Sequence, residues 1–122
     1  MRFETCLNSF QSTLESIYRI QVDHSVADFL ITDAALVRQL DTSVNARQVK
    51  EKLLIRSCSE GLELALYLDQ SVVDHLGREN PLVGLHGGNL SDFWIALEGV
   101  SHFLYLMWNA RLGKPVTLME LE

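Results

Sequence analysis

At 122 residues the chain has the length of one ordinary domain and can bury enough apolar surface to fold without disulfide or metal staples. Hydrophobic residues make up 48% and charged residues 21%, which excludes the polar composition of a disordered chain. Lys and Arg number 10 against 16 Asp and Glu, a formal charge of −6 with no basic cluster to offset it, so phosphate backbones are repelled and nucleic acid is not an expected partner.

The N-terminal MRFETCLNSF lacks the apolar core of a signal peptide, and no stretch reaches the ~18 consecutive apolar residues of a membrane span. A soluble, cytoplasmic protein with no membrane partner is the expectation. Cys6 and Cys58 lie far apart and outside any C-x-x-C spacing, so reduced thiols in inert packing are expected rather than a disulfide or a zinc site.

Phe3, Leu7, Phe10, Leu14 and Ile17 recur at the spacing of one helical face and predict an amphipathic helix over 3–20, whose heptad-like stripe suits either a core or a second copy of the chain. Ser25 and Thr32 or Asp33 are both candidate helix caps, which predicts a short or broken element at 25–31 and a helix at 33–40. DTSVN reads as a polar connection. ARQVKEKLL contains good helix formers, but the pattern changes from Leu53 onward.

Leu62, Leu64, Leu66 and Leu68 alternate with Glu63, Ala65, Tyr67 and Asp69, the period-two pattern of a strand with one buried face. LLIRSC is apolar and β-branched enough to pair with it across SEG, which predicts a hairpin over about 53–69 with Gly61 in the connection. Asp69 or Ser71 then caps a short helix that Gly77 ends, and Pro81 breaks the chain.

The glycine-rich GLHGGNL is read as a flexible connection, because Asp92 opposes an anion there and no P-loop lysine follows. Ser91 is the predicted cap of a long helix reaching Arg111 or Leu112, ahead of Gly113 and Pro115. TLME at 117–120 carries a capping box, so a further helix is expected to start there and the natural chain to continue past Glu122.

One residue every ~100° places Ser91, Glu98, His102 and Asn109 on a narrow polar line of the long helix, with Trp94 and Tyr105 beside it. Phe93, Ala96, Val100, Leu104 and Met107 lie opposite, as a broad buried face. Glu98 and His102, one turn apart, read first as a solvent-side or interface pair worth a few tenths of a kcal/mol. In the alternative they project into a pocket and bind a divalent metal. That site needs a further ligand, for which His24, His75, His86, Asp28 and Asp74 stand without a recognised spacing.

GVSHF departs from a nucleophile elbow, since Phe103 replaces its second glycine and the segment is helical, so Ser101 is read as structural and no catalytic residue is assigned. Trp108 is expected in the core. Trp94, Tyr105 and Asn109, together with Glu98, His102 and the loop residue His86, make up the candidate pocket or interface.

LYLD at 66–69, EGVSHFLYL at 98–106 and LMELE at 118–122 resemble small bacterial proteins of unknown function. The resemblance covers the C-terminal half and carries no catalytic residue over. It implies an intracellular bacterial origin and a chain continuing beyond Glu122.

The expected architecture is therefore a single, mainly helical α+β domain, with a β-hairpin packed on a long central C-terminal helix. The expected function is a non-enzymatic protein-binding or regulatory module without a cofactor, acting on a protein partner or on itself as a homodimer. The alternatives are a small metal-binding protein or enzyme using Glu98 and His102, and an acidic chaperone-like adaptor.

Overall fold

The computed structural model describes residues 3–35, 37, 49–58, 61–109 and 116–118. Strand β3 (Gly61–Leu68) is the middle of a mixed sheet. Along one edge β2 (Glu51–Cys58) pairs antiparallel in unbroken register, from Glu51 opposite Leu68 to Cys58 opposite Gly61. Along the other edge β1 (Leu30–Ile31) runs parallel to Leu66 and Tyr67, and β4 (Val116–Leu118) runs parallel to Leu62–Leu64. The predicted hairpin is present and starts at Glu51. Gly61, with φ 148°, belongs to the strand rather than the connection and takes a conformation that side chains disfavour.

Against one face of this sheet pack α1 (Phe3–Tyr18), α2 (Gln70–Arg78) and α3 (Leu90–Asn109). Phe3, Leu7, Phe10 and Leu14 of α1 meet Val72 and Leu76 of α2, Ala96, Val100, Phe103 and Met107 of α3, and Leu64, Leu66 and Leu68 of β3. Phe10 and Phe93 stand edge to face with ring centroids 5.3 Å apart, an arrangement the ring quadrupole favours. The long helix therefore presents to the core the face that its periodicity predicts.

The reading of β3 as a strand with one buried face is corrected. Ala65 and Tyr67 are as buried as the leucines and form a second, smaller core with Leu54 and Val37. Ala34, Ala35 and Val37 are helical and lie beyond Asp33, whose Oδ1 accepts from the Ala35 N–H at 2.9 Å. Tyr67 alternates like a surface residue because it has a polar tip, but that tip is satisfied internally: the hydroxyl donates to Asp69 Oδ1 at 2.9 Å. The rest of the predicted helix 33–40, the connection 41–45 and residues 46–48 lie outside the described residues.

Other boundaries also move. The element expected at 25–31 is a 3-10 turn, Val26–Phe29, leading into β1, and Ser25 makes no side-chain cap bond. Gln11 instead fixes this segment, donating to the His24 carbonyl and accepting from the Val26 N–H, both at 2.8 Å. Helix α1 closes with Arg19 at φ 56° and a bond from the Ile20 N–H to the Glu15 carbonyl at 3.0 Å, a Schellman closure with arginine where glycine is usual. Gly77 lies within α2 rather than ending it, because the bond from the Glu79 N–H to the His75 carbonyl carries the helix through Arg78. Asp69 caps that helix as expected, accepting from the Ser71 N–H at 3.0 Å.

Helix α3 begins at Leu90, which puts Ser91 in its first turn rather than at the cap. Its predicted end at Arg111 or Leu112 lies outside the described residues. The helix expected from TLME is not formed at its start: Thr117 and Leu118 are in β4, where pairing with Glu63 and Leu64 outweighs a local capping signal.

Gly99 sets the distance between α3 and the sheet. A Cβ there would stand 3.1 Å from Glu51 Cγ, 3.2 Å from Leu66 Cδ1 and 3.4 Å from Leu68 Cδ2. Gly99→Val is expected to destabilise the protein by about 1–3 kcal/mol in urea denaturation, because both leucines are fully buried and have nowhere to move. Unchanged stability would show that the packing there is looser.

Tyr67 adds a pH dependence. Burial first, and then its bond to Asp69, push its hydroxyl up to about 12. The unfolded chain releases this proton near pH 10, whereas the fold keeps it, so stability falls as pH rises from about 10 toward about 12. At about 1.4 kcal/mol per pKa unit the loss approaches ~3 kcal/mol. Tyr67→Phe is expected to flatten that part of the stability profile, and an equal slope in both proteins would count against the assignment.

Candidate functional site

The polar line of α3 faces outward. Ser91, Trp94, Glu98, His102, Tyr105 and Asn109 are all exposed, Tyr105 at 75% and Trp94 at 58%. Glu98 and His102 are not each other's partners. Glu98 Oε1 accepts from the Trp94 indole N–H at 3.1 Å, while His102 Nδ1 lies 3.3 Å from Glu51 Oε2 on β2. The His102 ring is more than half exposed, which places this contact among surface pairs of small energetic weight. Asn109 donates to the Tyr105 carbonyl at 2.6 Å, a bond within the last turn.

The histidines go to four different places. His86 lies in the loop ahead of α3, whose first residue precedes His102 by roughly 18 Å of helix axis. Its Nδ1 accepts from the Gly88 N–H at 3.0 Å, which leaves the ring proton on Nε2, 3.4 Å from Glu79 Oε2. His75 Nδ1 contacts Asp92 Oδ2 and so links α2 to the first turn of α3. His24 stands edge-on to Phe29. Asp74 accepts from Gln70 of its own helix. Among the described residues no three His, Cys, Asp or Glu side chains gather as metal ligands would.

Cys6 is a buried thiol that burial pushes up in pKa, and its Sγ–H donates to Asn80 Oδ1 at 3.5 Å. Ser101 lines an apolar groove of about 320 Å³ between the ends of α1 and α3, with Leu14, Tyr18, Ile20, Leu104, Tyr105 and Trp108. Trp108, expected in the core, is half-buried on the wall of this groove.

The most organised polar feature falls where a flexible connection was expected. Asn89 is 0% exposed. Its Oδ1 accepts from the His86 N–H at 2.9 Å, and its Nδ2 donates to the Gly84 and Glu79 carbonyls at 2.9 and 3.0 Å. Its own carbonyl accepts from the Phe93 N–H at 2.9 Å, the first bond of α3. At the base of the same loop Asn80 Oδ1 accepts from the Leu82 N–H at 2.9 Å, and the Asn80 carbonyl accepts from the Val83 N–H at 3.1 Å.

Held this way, the loop turns Leu82, Val83 and Leu85 toward water, with Val83 86% exposed. Leu90 and Trp94, on the first turns of α3, are exposed as well. Sequence reasoning found Trp94 but missed these loop residues and Asn89. One available signal was an asparagine two residues ahead of the predicted cap Ser91, since asparagine is itself a preferred N-cap residue.

Comparison with protein-family models, with curated proteins and with solved structures gives no match. The site therefore stands on its own geometry. Asn89→Ala would leave the His86 N–H and the Gly84 and Glu79 carbonyls without their partner, at an expected cost of about 2–4 kcal/mol. Thermal denaturation, together with limited proteolysis cutting at 82–88, checks this. Full stability and an uncut loop would show that Asn89 is dispensable.

Proposed function

We propose that this protein is a non-enzymatic protein-binding module, and that its contact surface is the 82–85 loop together with Leu90 and Trp94. The observation that carries the reading is a contradiction in how the loop is built. A fully buried asparagine makes three side-chain hydrogen bonds to hold it, yet the side chains it displays are apolar and face water. A loop that existed only to connect α2 to α3 would need the polar closure, which pairs its backbone groups, but not the apolar display. A rigid loop carrying exposed apolar groups loses little conformational freedom on docking, so more of the burial energy is left for affinity.

The chemistry of the surface describes its partner. Leu82, Val83 and Leu85 carry no charge, and of the polar groups at the two ends of the loop Glu79 contacts His86, while Asp92 contacts His75. The fitting partner is a protein with an uncharged apolar hollow. Trp94 supplies a large, half-rigid aromatic edge of the kind enriched at binding hot spots.

A photo-crosslinking side chain at position 83 is expected to give one predominant adduct in cell extract, and the same side chain at exposed Thr13 on α1 is expected not to give it. Val83→Asp should abolish that adduct from a crosslinker at position 94, while shifting stability by no more than about 0.5 kcal/mol, as suits an exposed position. Equal adducts from positions 83 and 13, or an adduct unaffected by Val83→Asp, would overturn the reading.

A further inference from the structure

We draw no further inference here: the strongest candidate, the apolar groove between the C-terminal ends of α1 and α3 walled by Tyr18, Ile20, Tyr105 and Trp108, carries nothing because nothing in the structure shows what covers it.

Discussion

The burial of β3 on both faces and both edges is the constraint on which the rest of this fold depends. Three fully buried leucines point to the helices, Ala65 and Tyr67 point to the second core, and neighbouring strands take up the backbone on either side. Burying each leucine contributes roughly 1.5–3 kcal/mol, an upper figure because the unfolded chain already hides part of that surface. Gly99 lets α3 lie close to this strand. The close approach has a chemical consequence on the outside of the helix: it brings Glu51 within reach of His102, and Glu98 is left to bond Trp94. Core packing thus decides the pairing of the polar line.

The second organising element is the placement of a few buried or half-buried polar side chains. Gln11 ties the 3-10 turn to α1, Asp69 joins the end of β3 to the start of α2, and Asn89 closes the loop before α3. Hydrogen bonds from Ser71, the largest influence, hold the Asp69 carboxyl below its ordinary value, so the capping charge persists to lower pH than that of a free aspartate. Among the described residues no buried side-chain nitrogen or oxygen lacks a partner. Each of these side chains replaces solvent for backbone groups that a turn would otherwise leave unpaired, which is why the connections are shaped as firmly as the helices.

Those connections also govern what the surface can do. On the reading proposed, function belongs to a loop that the fold holds still rather than to a set of reactive groups. The histidines are spread over the turn after α1, α2, the 82–89 loop and the middle of α3, and the three on α2, the loop and α3 each face a carboxylate from another part of the chain. Apolar display from a fixed backbone is a recognition device, since rigid presentation and desolvation act together at a contact.

Periodicity in the sequence was enough to place α1, the leucine strand of the hairpin and α3, and to say which side of α3 faces water, because a 3.6-residue or two-residue repeat reports directly on which side chains share a face, while composition placed the first strand of the hairpin and cap residues placed α2. Trp94 and Tyr105 were legible as surface aromatics for the same reason. The pairing of His102 with Glu51, the second core around Tyr67, the strand at Thr117 and the loop closed by Asn89 were not legible. Each joins residues distant in the chain or overrides a local signal, and a local pattern cannot say which distant groups will meet. Only the tertiary structure decided those, by bringing β3 between two apolar covers and leaving each polar group to find the partner that packing placed beside it.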